Sequence, residues 1–134
     1  MTVRFLLDTN IVSDLVRHPR GIIFQHISRT GEADVCTSII VAAELRYGAA
    51  KKNSLRLTSQ LEAVLGVLEV MALEPPVDAV YGVIRAHLER TGQPIGANDL
   101  LIAAHALTLG LTVVTDNERE FSRVDGLRVE NWLR

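Results

Sequence analysis

The chain has one cysteine, six aromatic residues and two lysines in 134 residues. A lone Cys36 cannot form an internal disulfide, which fits a reducing compartment and an expected cytoplasmic location. Cys36 lies in an apparent strand, where a buried small hydrophobe is expected. With aromatics at 4% but hydrophobic residues at 48%, the core must be built from Val, Leu, Ile and Ala. No apolar run approaches the roughly 20 residues that cross a bilayer. The first apolar run follows only one basic residue, Arg4, and breaks at Asp8, so no signal peptide is expected. Of 14 basic residues 12 are Arg, whose planar fork suits phosphates. The net charge of −2 does not itself announce a nucleic-acid binder. The length fits one domain over residues 1–134, and no repeat or linker interrupts it.

What is present is organised around Phe5-Leu6-Leu7-Asp8-Thr9-Asn10. Three apolar residues without polar alternation read as a strand buried on both faces, as in a parallel sheet. In open α/β sheets ligands sit outside the carboxyl ends of the strands, and Asp8 would stand at that edge. Taken alone, Asp8 or Asn10 could equally be a helix cap.

The pattern continues as alternating helices and strands. Helices are expected over 10–17 and 22–27, the second ending at Gly31, and a strand over 34–37. Thr37 or Ser38 then caps a helix through Ile39, Ala42 and Leu45 to Gly48. Glu44 sits in that apolar helix and needs either a buried partner or a surface pairing with Arg46. A turn at 51–53 would fold back a long amphipathic helix over 54–70, with Leu55, Leu57, Leu61, Val64, Leu65 and Leu68 inward. A third strand is expected over 70–73. The next helix starts at Pro76 and Asp78 with Val80, Val83, Ile84 and Leu88 inward and Gly92 after it. Asn98 is a candidate cap for a helix over 100–109, leaving Asp99 in its first turn. Residues 111–115 form a strand ending in Thr115-Asp116-Asn117. A helical turn over 118–121 and a strand near 127–129 complete the chain. His26 and His105 read as packing residues. The expected fold is α/β, a three-layer α/β/α sandwich with a central, mostly parallel sheet.

Two strands thus end in similar polar triplets, and two helices bring Glu44 and Asp99 toward the same edge. Carboxylates from four distant segments would repel one another unless a divalent cation offsets the charge. An all-oxygen site suits Mg²⁺ or Mn²⁺, whereas a zinc site would want Cys and His at close spacing. Such a site suits phosphodiester hydrolysis, with Glu44 as a metal ligand, general base or holder of a metal-bound water.

Five segments in order carry a resemblance over nearly the whole chain: Leu6–Asn10, Ser38–Gly48, Pro94–Asp99, Val114–Phe121 and Gly126–Trp132. They resemble the PIN-domain ribonucleases, specifically the VapC-type toxins of toxin–antitoxin pairs. The resemblance implies an α/β/α sandwich, Mg²⁺- or Mn²⁺-dependent RNA cleavage, homodimers and a VapB-type antitoxin that occupies or distorts the active site. It also implies that the toxin–antitoxin complex binds operator DNA through the antitoxin. The toxins most similar to this chain cut tRNA, the initiator tRNA anticodon loop among them. The family's acids carry over to Asp8, Glu44 and Asp99. Where many members have a fourth Asp this chain has Asn117, leaving Asp116 and Glu120 as candidates. Thr9 and Asn10 are expected to orient Asp8 and cap the helix behind it. Thr115 and Asn117 are expected to bond to Asp8 or to a metal-held water, and Arg119 to touch RNA phosphate. A receiver-like phosphoacceptor domain would need a late basic partner, and no Lys follows Lys52. An inactive PIN-like binding module would not be expected to keep three of the acids.

Overall fold

The computed structural model describes residues 3–134. Five strands make one sheet in the order β3-β2-β1-β4-β5, and every pairing is parallel. They are β1 (Phe5–Leu7), β2 (Val35–Ser38), β3 (Glu69–Met71), β4 (Thr112–Val114) and β5 (Val129–Glu130). The helices are α1 (Thr9–Arg17), α2 (Ile22–Thr30), α3 (Ile39–Lys52), α4 (Leu55–Val67), α5 (Val77–Arg90), α6 (Ala97–Leu109) and the short α7 (Glu118–Phe121). A 3₁₀ turn, Glu32–Asp34, leads into β2. Right-handed crossovers put α1 to α4 on one face and α5 and α6 on the other, giving three layers. The α/β/α expectation holds, and the described sheet is wholly rather than mostly parallel.

The three central strands are buried because their residues are apolar or β-branched on both sides. Leu6, Leu7, Cys36, Val113 and Val114 are fully inaccessible. Burial without a partner pushes the Cys36 thiol up to about 12, so it behaves as a small hydrophobe. The aliphatic core is closed at one side by Trp132, which lies edge-on to Phe5 at 5.1 Å and stacks on His26 at 4.1 Å. His26 is thus a packing residue.

The chain adds strands to one side of β1, then crosses back to add β4 and β5 on the other. This reversal leaves a crevice beyond the carboxyl ends of β1 and β4, the place where such sheets bind ligands. Receiver domains use the order 2-1-3-4-5, which this sheet does not have.

Several expected boundaries shift. The helix expected to stop at Gly48 runs on to Lys52, because the left-handed residue that ends it is Asn53, with φ 50°. The third strand is Glu69–Met71 rather than 70–73. Gly96, not Asn98, is the capping position of α6, which starts at Ala97. Ser38 rather than Thr37 caps α3, accepting from the Ile40 amide at 3.0 Å. Leu55 and Val83, expected inward, are 87% and 71% exposed. Each lies on an outer helix, where apolar spacing alone does not tell the core face from a second face.

Candidate active site

Asp8 follows β1 directly and is the capping position of α1, but its side chain caps nothing. Its backbone carbonyl instead accepts from the Ile11 and Val12 amides, both at 3.1 Å, so the helix starts without using the carboxylate. The carboxylate is 3% exposed. One oxygen, Oδ2, accepts from the Thr115 hydroxyl at 2.7 Å. The other, Oδ1, is buried with no hydrogen-bond partner among the described residues. Burial raises the Asp8 pKa, and the Thr115 hydroxyl and the Thr9 amide only partly oppose it.

Thr115 links the two triplets. It is fully buried at the end of β4, where a hydroxyl can serve both as donor and acceptor. It donates to Asp8 and accepts from the Asn117 amide at 2.9 Å. Asn117 turns its side chain to Asp99, donating from Nδ2 to Oδ2 at 3.2 Å. Asn10 accepts from the Asp116 amide at 3.1 Å, tying α1 to the loop after β4. Thr115 bonds to Asp8 and Asn117 to Asp99; Thr9 and Asn10, expected to orient Asp8 and cap α1, instead lie inside that helix and bond to Glu44 and to the loop backbone.

Glu44 has two neutral donors. The Thr9 hydroxyl donates to Oε1, and Asn98 Nδ2 donates to Oε2 at 3.0 Å. The surface pairing with Arg46 does not form, because Arg46 pairs with Glu62 of α4. In the sequence Asn98 is legible only as a cap. What it does is hold the Glu44 carboxylate from the first turn of α6.

Asp99 is half-buried and its pKa is pushed up to about 6. Burial is the main cause, followed by the charges of Asp8, Glu120 and Glu44, with Asn117 pulling the other way. These four acids therefore share one electrostatic neighbourhood. Asp116 stands apart. Its carboxylate accepts from Asn131 Nδ2 at 3.0 Å and lies 3.9 Å from the Arg134 guanidinium. Asn131 also donates to Glu118 at 3.1 Å, so the end of the chain holds this loop from outside. Arg119 is exposed and takes part in no ion pair among the described residues.

Among the described residues no group of three or more His, Cys, Asp or Glu side chains stands close enough together to hold a metal ion. The donors at this edge are oxygens, which suit a hard cation that takes one or two carboxylates and keeps its waters rather than structural zinc. The buried, unpartnered Asp8 Oδ1 fits such a cation. A carboxylate oxygen removed from water needs either a donor or a positive charge.

His105 belongs to the framework. Its ring bonds the Ser38 hydroxyl at 2.9 Å and the Ala72 carbonyl at 3.1 Å, and burial lowers its pKa. The neutral ring with Nε2–H donating to Ala72 and Nδ1 accepting from Ser38 satisfies both contacts.

A wholly parallel sheet with acids gathered at its switch point defines an α/β protein with an acidic ligand-binding edge. The sequence pattern of the PIN domain matches residues 5–127, and the chain belongs to that family. It is 41% identical over 133 residues to Ribonuclease VapC2 of Haemophilus influenzae, covering 98% of this chain and 99% of the relative. It is 35% identical over 131 residues to the tRNA(fMet)-specific endonuclease VapC of Shigella flexneri, covering 97% and 98%. Its fold is similar to a chain in the crystal structure of VapBC2 from Rickettsia felis bound to a DNA fragment from the promoter. That match has a TM-score of 0.90 at 34% identity and covers 97% of this chain and 99% of the other.

Proposed function

We propose that this chain is the endoribonuclease toxin of a toxin–antitoxin pair, hydrolysing RNA phosphodiester bonds with the help of Mg²⁺ or Mn²⁺. The observation that carries the reading is the Asp8 oxygen buried without a partner among three other acids at the sheet's switch point. Full-length relatives named as ribonucleases support the activity, and similar chains from VapBC complexes support a VapB-type antitoxin.

Asp8 and Asp99 are the residues to hold the cation, with Glu44 and Glu120 adding charge nearby. Glu120 takes the place of the fourth acid, because its charge acts on Asp99 whereas Asp116 is engaged by Asn131. Bound there, the ion supplies positive charge to the phosphate and to the oxygen that leaves. Glu44, fixed by Thr9 and Asn98, is oriented to accept a proton from the attacking water. Thr115 holds Asp8 and Asn117 holds Asp99, so the two carboxylates keep their positions before RNA arrives. Arg119, exposed beside Glu120, contacts a phosphate of the substrate.

The narrower substrate is tRNA, with the initiator tRNA anticodon loop as the leading case. The protein works as a cytoplasmic homodimer, and its complex with the antitoxin binds operator DNA through the antitoxin. Brief expression followed by sequencing of cleaved cellular RNAs tests both levels. Cuts confined to tRNA anticodon loops are expected. Cuts elsewhere would retire the tRNA assignment, and no cuts at all would retire the ribonuclease reading.

A further inference from the structure

A cleft of about 260 Å³ leads away from the acidic edge, and Glu44 is one of its walls. On one side the stripe Glu44, Gly48 and Lys52 runs down α3 at spacings of four. On the other side Ser13 and Arg17 continue the stripe that Thr9 begins on α1. The Thr9–Glu44 hydrogen bond joins the two helices at the site end. Eight residues of helix carry the trench about 12 Å outward to Arg17 and Lys52. Its floor is apolar, with Leu57 and Leu61 from α4.

Two features of the trench are not accounted for by contacts among the described residues. Arg17 and Lys52 are exposed and form no ion pair among the described residues, whereas Lys51, next in sequence, lies over the Tyr47 ring at 6.0 Å. The dipole at the ends of α1 and α3 would favour cations on any side of the last turn, but these two both line the trench. Gly48 lies inside α3, where glycine weakens a helix, and its φ is not of the kind that requires glycine. A Cβ there would meet nothing within 4 Å. Among the described residues nothing fills the room that this glycine leaves.

We propose that this trench is a subsite for the RNA strand beside the scissile bond. The flanking nucleotide's base or ribose lies over Gly48 and the leucine floor, and its phosphate lies between Arg17 and Lys52. This rests on the ribonuclease reading and extends it to how the strand is held. Charge complementarity selects RNA as the occupant, since two unpaired cations stand one trench-length from a phosphodiesterase centre.

The test uses the full chain, chelator in place of divalent metal, and a short mixed-sequence single-stranded RNA carrying fluorescein, read by anisotropy across a salt series. Replacing Arg17 and Lys52 together by Ala should raise Kd about tenfold or more and flatten the salt slope by about 0.7 for each phosphate no longer neutralised. Gly48→Leu should also raise Kd but leave the salt slope unchanged, because it removes room and not charge. Gly48→Ala should raise Tm, showing that the position has no need of glycine for folding. In all three the Mg²⁺-induced rise in Tm should equal that of the wild type. Wild-type RNA affinity in both the Arg17/Lys52 double variant and Gly48→Leu would overturn the proposal. So would variants that keep RNA affinity but no longer bind an antitoxin protein, which would assign the trench to a polypeptide. A wild-type protein that neither binds nor cuts RNA would overturn the ribonuclease reading itself.

Discussion

At the residue scale, the site is a set of carboxylates held by neutral donors, and among the described residues none of Asp8, Glu44, Asp99 and Glu120 forms an ion pair. The Asp99 pKa is raised to about 6 from an ordinary value of 3.8, so the folded state binds this proton more tightly than the unfolded chain. Stability therefore falls as pH rises from about 4 to about 6, and the penalty is fully present at pH 7. Asp99→Asn should remove it. We expect a gain of about 1–2 kcal/mol at pH 7.5, seen as a Tm several degrees higher, and no gain near pH 4. An equal shift at both pH values would mean that charge repulsion is not the cause. Asn98→Ala leaves Glu44 with the Thr9 hydroxyl alone. Because Asn98 is exposed, we expect thermal unfolding to change little while RNA cleavage falls roughly 10–100-fold, the range seen for groups that orient ligands at metal sites. Cleavage at the wild-type rate would remove Asn98 from the machinery.

At the element scale, each acid is set by its place on a helix or at a strand end. Asp8 and Thr115 come from the ends of β1 and β4, Asp99 from the first turn of α6, and Glu44 from the second turn of α3. Ser38 shows how the frame is fixed. Its hydroxyl accepts from the Ile40 amide to start α3 and bonds His105 of α6, coupling the helices that carry Glu44 and Asp99. Ser38→Ala removes a cap and leaves a buried imidazole nitrogen unpaired, so a loss of about 2–3 kcal/mol is expected by urea unfolding. A loss below about 0.5 kcal/mol would show that the coupling carries no weight. The strand ends are legible from the sequence because apolar runs stop abruptly at polar triplets. Asp8, Glu44 and Asp99 can therefore be nominated from sequence, and the fold brings their charges together. The anchoring of Asp116 is not legible there, because it depends on Asn131 and Asn10 reaching the loop from residues 15 and 106 positions away. Asn98 reads as a cap for a similar reason: its true partner, Glu44, is 54 residues distant. Leu55 and Val83 show the limit of periodicity, which marks an apolar face without saying whether the same chain covers it.

At the scale of the whole molecule, the crossover from one side of β1 to the other creates the crevice that the acids line. A buried aliphatic core lies behind them. A divalent cation that binds the folded state and not the unfolded chain must raise stability, by about 1.4 kcal/mol at ten times its Kd. Mg²⁺ or Mn²⁺ titration should therefore raise Tm progressively. A Tm indifferent to both ions up to millimolar concentrations would deny a site of useful affinity. The arrangement also explains why the fold is readable from alternation of strands and helices, while the tRNA substrate rests on similarity to relatives and not on a feature of the sheet.

The central claim is that Asp8 holds the ion on which RNA cleavage depends. It is tested most directly by measuring Mg²⁺-dependent RNA cleavage by Asp8→Asn beside the wild type, with thermal unfolding of both. Loss of cleavage by about a thousandfold or more, with Tm retained or raised, is the predicted result. Cleavage by the folded variant at the wild-type rate would contradict the account.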